Sequence, residues 1–205
     1  MKKKNFTLVE LLVVIAIIGV LAALIFPAVQ GSITKAEVAK CKAGMTTLVN
    51  AIKQYESTYG KLPCPKDYAL SSGKEQCLSD EQYTWMIKLL QGDSFTDTTM
   101  GDSAKYNKRA IKFLDIQGNA PGIYLDPWDK NFKVILDLDY NGYIEPASGA
   151  LDGISSDTTK VYYSVIVWSV GDDGASSTTA TDKKNKDNVY SFTTNWTRIG
   201  HTIQK

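Results

Sequence analysis

From Phe6 to Val29 the chain reads FTLVELLVVIAIIGVLAALIFPAV, apolar at nearly every position and carrying one carboxylate, Glu10, near its start. A helix built from such a run has no polar face to turn to water. Leu11 to Val29 nearly supplies the ~20 apolar residues that a helix needs to cross a bilayer. The run is longer than the ~7–15-residue apolar core of a secretory signal peptide, and it contains an acid. A membrane helix over 6–29 is therefore expected. Lys2, Lys3 and Lys4 precede it, and lysines on one flank keep that flank in the cytoplasm and place the remainder across the membrane. Glu10 stands apart, because a carboxylate inside lipid is costly and normally has a partner.

Past residue 30 the pattern becomes amphipathic. Val38, Cys41, Met45, Leu48, Ile52, Tyr55 and Tyr59 recur by threes and fours, which puts them on one helical face with lysines and polar residues elsewhere. That stripe predicts a continuation of the helix over 30–60, packed against a globular remainder at 61–205. Gly60 suits the position beyond a helix end, and Pro63 cannot continue one. At 1.5 Å per residue, a helix over 6–59 is ~80 Å long. Pro27 removes a backbone hydrogen bond from its interior and predicts a kink there.

Residues 67–119 read as loops and short helices. Ser79 with Gln82 three residues on has the form of a capping box, and Tyr83, Trp85, Met86, Leu89 and Leu90 follow at helical spacing. A second short helix is expected over Ser103–Leu114, with the polar stretch Gly92–Asp102 as a loop between the two. The period then changes. Phe132–Leu138, Val161–Trp168 and Val189–Phe192 are rich in β-branched and aromatic residues and are separated by Gly, Asn, Asp and Ser clusters, which predicts three antiparallel strands. A long helix, short helices and then a small sheet make an α+β arrangement.

Composition narrows the function classes. The net charge of +1 over 205 residues gives no basic excess of the kind a nucleic-acid binder shows. Three cysteines fit an oxidising compartment. Cys64 and Cys77 enclose a short loop after the first helix, the favoured pair for a disulfide, with Cys41 left over; three reduced, buried thiols are the alternative. The one histidine, His201, lies four residues from the C-terminus, where a preorganised base is seldom held, so catalysis is not expected.

The basic leader, the sequence Phe-Thr-Leu-Val-Glu and an apolar stretch interrupted by Pro27 together resemble the N-terminus of type IV pilins and type II secretion pseudopilins. The resemblance implies that a prepilin peptidase cuts between Asn5 and Phe6, removing a leader of 1–5, and that the new amine of Phe6 is methylated. Glu10 then becomes the fifth mature residue and Pro27 the twenty-second, both positions that this family uses; Asn5 stands where the family has Gly. The implied role of Glu10 is to meet the N-terminal amine of a neighbouring subunit, which turns a costly charge into a pair. Farther along, Asp126-Pro127-Trp128, then Ser169-Val170-Gly171-Asp172-Asp173-Gly174, and Asp187 before Trp196 are similar to the GspG-like major pseudopilin. Asp129 replaces the usual Gly after the tryptophan, and Asn188 stands where a second acid often occurs. The resemblance covers both ends of the chain and not its middle.

It implies a pilin-like α+β fold and a structural subunit of a type II secretion pseudopilus or type IV pilus-like filament that supports protein secretion. The implied partners are further copies in a homo-oligomeric filament, other pseudopilins or pilins, the prepilin peptidase, an inner-membrane assembly platform and the membrane itself. The C-terminal domain would be periplasmic before entering a periplasmic or cell-surface filament. A type IV pilus subunit for adhesion or motility is the alternative within the class. A calcium-dependent surface binding module using the pilin anchor is the alternative outside it.

Two stretches suit calcium, a hard cation that takes oxygen ligands. The resemblance points to Asp173 and Asp187, with Asp172 as a substitute. Independently, Asp137, Asp139, Asn141 and Glu145 fall at the first, third, fifth and ninth positions of an EF-hand-type loop, with Gly142 at the sixth and Ser148 at the twelfth. A turn built on Asn141-Gly142 accounts for the second stretch equally well.

Overall fold

The computed structural model of the chain describes residues 8–68, 73–116, 120–145, 160–177, 182–185 and 187–192. The chain divides into two compact units, Met1–Ala39 and Lys40–Lys205. One helix, α1 (Leu8–Tyr59), contributes to both and runs unbroken through Pro27.

In the first unit α1 is apolar on every side from Leu11 to Phe26. Large side chains from Leu8 to Phe26 are all exposed, between 45% for Val14 and 79% for Leu8. This segment is long and apolar enough to cross a bilayer.

In the second unit α1 buries the expected stripe: Cys41, Met45, Leu48, Ile52 and Tyr55 are inaccessible, Ala51 joins them, and Tyr59 at the end is half-buried; Val38, the first residue of the stripe, is half-buried and falls in the first unit. The helix ends at Gly60, whose φ of 68° is left-handed and whose N–H reaches Glu56 O at 2.7 Å. Helix α2 (Asp80–Gln91) starts with the expected capping box. Ser79 Oγ accepts from Gln82 N at 3.2 Å, and Gln82 Oε1 accepts from Ser79 N at 3.0 Å. Gly92, at φ 77°, closes its other end.

The second short helix is much shorter than its periodicity predicts: α3 covers only Ser103–Tyr106. Asn107 stops it. Its Nδ2 donates to Leu89 O at 3.0 Å and Ile111 O at 2.9 Å, while its Oδ1 accepts from Tyr59 Oη at 2.7 Å and Ile111 N at 3.0 Å. A buried amide that satisfies four groups holds the chain in a turn, and this outweighs the propensity of the residues that follow.

The sheet is antiparallel in the order β1 (Lys133–Leu136), β2 (Val165–Ser169) and β3 (Val189–Tyr190). Ile135 faces Ile166, and Trp168 faces both Lys133 and Tyr190. All three strands are shorter than expected, and β2 starts late because Val161 forms an isolated bridge with Ile144 instead. All five residues of β2 are buried, so both faces of the sheet are covered. Ile135, Ile166 and Trp168 pack with Ile144, Val161 and Phe192 on one side. Ser169 projects to the other, close enough to the Cys41 thiol of α1 to act on it. Tyr124 and Phe132 also rest on α1: Tyr124 Oη donates to Gly44 O at 2.9 Å, and a Cβ at Gly44 would lie 3.3 Å from the Phe132 ring.

No disulfide joins Cys64 to Cys77 in this structure. Each sulfur instead turns to the carbonyl that follows it, Pro65 O at 3.4 Å and Leu78 O at 3.5 Å. Tyr68 ties this segment together without a covalent bond, its hydroxyl accepting from Gln76 N at 2.8 Å and donating to Gln76 O. Burial pushes the Cys41 thiol up to about 11 and the Cys64 thiol up to about 12.

Replacing Ser79 by Ala removes one half of the capping box and should cost about 1 kcal/mol of stability. Urea unfolding of the purified chain, followed by tryptophan fluorescence, measures this as a lower midpoint at constant slope.

Candidate functional site

Three places carry chemistry beyond packing: the exposed apolar part of α1, a hydrogen-bonded node in the globular unit, and a group of carboxylates. In the first, Glu10 is exposed among aliphatic side chains. Asn5 and Phe6 lie outside the described residues, as do Ser148, Trp196 and His201. Pro27 lies within α1.

The node joins the two separate motifs of the globular unit. Asp126 is buried, and its Oδ1 accepts from Trp128 N at 3.0 Å and Lys130 N at 2.9 Å, folding Asp126-Pro127-Trp128 into a tight turn. Its Oδ2 accepts from Ser169 Oγ at the end of β2. Ser169 Oγ in turn accepts from Gly171 N at 3.0 Å. Within this turn Asp129 adopts φ 61°, a left-handed conformation that Asp tolerates better than most residues and Gly adopts freely.

Gly171, at φ 74°, is pressed against Asp187: a Cβ there would sit 2.5 Å from Asp187 Oδ2 and 2.6 Å from its carbonyl oxygen. Asp187 Oδ2 accepts from Asp173 N at 3.0 Å, and Asp173 Oδ1 accepts from Ala175 N at 2.8 Å. Asp172 is exposed. Asp172, Asp173 and Asp187 therefore share one loop region, yet their carboxylates do not converge as a three-acid group among the described residues.

A convergent group does form elsewhere. Glu75, Asp137 and Asp139 each offer one oxygen within 4.8 Å of the others. Asp137 and Asp139 are two of the acids at EF-hand spacing. Glu145, the fourth of that set, turns away: its Oε1 pairs with Lys74 Nζ at 3.2 Å. Glu75 takes its place, and its Oε2 accepts from Glu145 N at 2.9 Å. Sequence spacing gave no signal for Glu75, which is brought in from another part of the chain. Asp139 also orders Asn141, accepting from its N at 3.2 Å and from its Nδ2 at 2.7 Å. Burial pushes the Glu75 carboxyl above the ordinary glutamate value, and the charges of Asp139 and Asp137 add to this. Burial likewise raises Asp137, reinforced by its contact with Asp139.

With this geometry in place, comparison with known proteins is informative at the N-terminus. Residues 2–26 match the prokaryotic N-terminal methylation motif. The chain is 44% identical over 55 residues to Type II secretion system core protein G of Escherichia coli (strain K12), covering 27% of this chain and 38% of that protein. It is 39% identical over 116 residues to Type IV major pilin protein PilE1 of Neisseria gonorrhoeae, covering 57% of this chain and 63% of that one. Type IV major alpha-pilin of Moraxella bovis is 43% identical over 82 residues, with 40% and 43% covered. The chain thus spans between 38% and 63% of the length of these relatives. No solved structure matches. The chain carries a prepilin-type N-terminal motif and is homologous to type II secretion pseudopilins and type IV pilins. Its long helix followed by a three-stranded antiparallel sheet has the α+β order of a pilin-like fold. An apolar N-terminal helix with this motif fits membrane anchoring.

Two outcomes are expected. Gly171→Ala forces a Cβ into Asp187 and a side chain into left-handed backbone, so it should cost at least about 1–2 kcal/mol. Gly142→Ala, at φ 88° with open space around it, bears only the backbone term. Chemical denaturation of the two variants side by side checks the order. The second outcome concerns pH. Glu75 has its folded-state value raised, so its contribution to stability is fully present below the ordinary glutamate value and is lost as pH rises through the raised one. In chelator, Glu75→Gln should gain thermal stability relative to the parent as pH goes from about 4 to about 7. A melting series in EDTA measures the difference.

Proposed function

We propose that this protein is a structural subunit of a type II secretion pseudopilus or a related type IV pilus-like filament. It is processed by a prepilin peptidase and assembled from the membrane through α1. The observation that carries the reading is the apolar, all-round exposed segment of α1 from Leu8 to Phe26, headed by Glu10 and overlapping the methylation motif. Covering even half of one Leu or Ile side chain is favourable by about 1 kcal/mol. In lipid, or against like helices, the whole segment is covered.

Assembly then exchanges lipid contacts for helix contacts, which changes hydrophobic free energy little. The selective term is electrostatic. Glu10 is expensive in lipid and becomes favourable where a neighbouring copy supplies the amine of Phe6. The globular unit would lie on the periplasmic side, with its sheet on the outside of the filament and the assembly platform drawing subunits from the inner membrane. Type II secretion is favoured by the Asp126-Pro127-Trp128 turn joined to Ser169 and Gly171. A pilus subunit is the second reading, favoured by the alignment to PilE1 over 116 residues.

The N-terminal residue of the membrane fraction, read by mass spectrometry, should be a methylated Phe6; an intact Met1 in cells with active peptidase sinks the processing step. Glu10→Ala should leave the subunit in the membrane and reduce filaments, counted by electron microscopy, at least tenfold. Unchanged filament number with that substitution would remove Glu10 from assembly.

A further inference from the structure

Two carboxylates of the globular unit stay half-satisfied. Glu75 and Asp137 are 1% and 2% exposed. Each has one oxygen in use: Glu75 Oε2 accepts from Glu145 N at 2.9 Å, and Asp137 Oδ2 accepts from Gly142 N at 3.1 Å. The other oxygens, Glu75 Oε1 and Asp137 Oδ1, are buried without a hydrogen-bond partner among the described residues. Leaving such atoms bare is costly, and a carboxylate costs more than a neutral group. No lysine offsets them through an ion pair among the described residues, since Lys74 is paired with Glu145. Asp139 adds a third carboxylate from the open side.

We propose that Glu75, Asp137 and Asp139 form a calcium site. Carboxylate oxygens within 4.8 Å of one another are close enough to share one hard cation, and calcium, which takes about six to eight oxygens in flexible geometry, suits three carboxylates completed by water better than magnesium, which demands a near-ideal octahedron. The donors are all oxygens, with no His or Cys, which disfavours zinc. The loop supplies the bend such a site needs: Gly142, at φ 88°, follows Asn141 and turns the chain so that its N–H meets Asp137. Exposed Asp139 leaves one side open for water ligands. The ion links the segment before α2 to the loop after β1, and stabilises both only while bound. This inference is independent of the filament reading and concerns a different region from the loop of Asp172, Asp173 and Asp187.

The test uses the full chain in detergent micelles, stripped with EDTA and then freed of chelator. Calcium chloride is titrated by calorimetry, with magnesium chloride in parallel, and thermal unfolding is followed with each. A saturable calcium site in the micromolar-to-millimolar range is expected, together with a raised melting temperature. Asp139→Asn and Glu75→Gln should each weaken it at least tenfold, and the double variant Asp173→Asn, Asp187→Asn should leave it intact. Asp139 is exposed, so its variant keeps the test decisive if Glu75→Gln fails to fold, as judged by circular dichroism. Absence of saturable calcium binding up to ~10 mM, well beyond the weak end of protein calcium sites, overturns the proposal. So does magnesium binding in place of calcium, or loss of calcium binding in the double variant while Asp139→Asn retains it.

Discussion

The globular unit depends on covering both faces of one short strand. β2 is buried along its whole length, and a three-stranded sheet of this size cannot stand alone in water. One face is sealed by Ile144, Val161 and Phe192, and Cys41 of α1 reaches Ser169 on the other. The second half of α1 is therefore part of the core. Tyr55 Oη donates to Tyr106 O at 2.8 Å, and Tyr59 Oη donates to Asn107 Oδ1 at 2.7 Å, so the helix also organises the irregular segment that follows α2. Shortening the helix from this end would remove core, not a tether.

The Asp126 node shows how a small domain fixes loops with few residues. One carboxylate closes its own turn, accepts from Ser169 and so reaches Gly171, against which Asp187 is seated. Charge-assisted hydrogen bonds of this kind are roughly twice as strong as neutral ones. Two distant stretches thereby share one anchor, and the turn that follows β2 is organised around it. The left-handed Asp129 sits inside the same turn, so its strain is held by the bonds around it.

What the sequence reveals follows the range of the interaction. The capping box of Ser79 and Gln82 is local and was legible, as were the apolar stripe of α1 and the centres of the three strands. The end of α3 was not, because Asn107 is held by Tyr59 and Leu89, which lie far from it along the chain. Strand ends were misjudged for the same reason, since the partner of Val161 is Ile144 and not a neighbouring strand. Two acids of the EF-hand-like spacing, Asp137 and Asp139, do converge with a third, but that third is not Glu145. Glu145 satisfies Lys74 instead, and Glu75 arrives only through the fold.

The N-terminal half of α1 has a mechanical consequence. Its surface is aliphatic around the whole axis, so hydrophobic burial changes little when one such helix rotates or slides past another. Dispersion alone then offers many nearly equivalent alignments. In the proposed filament, Glu10 would act as an index mark that distinguishes one alignment from the rest. Such an array would resist shear weakly away from that mark, so it could stretch or twist under load without losing its apolar contacts.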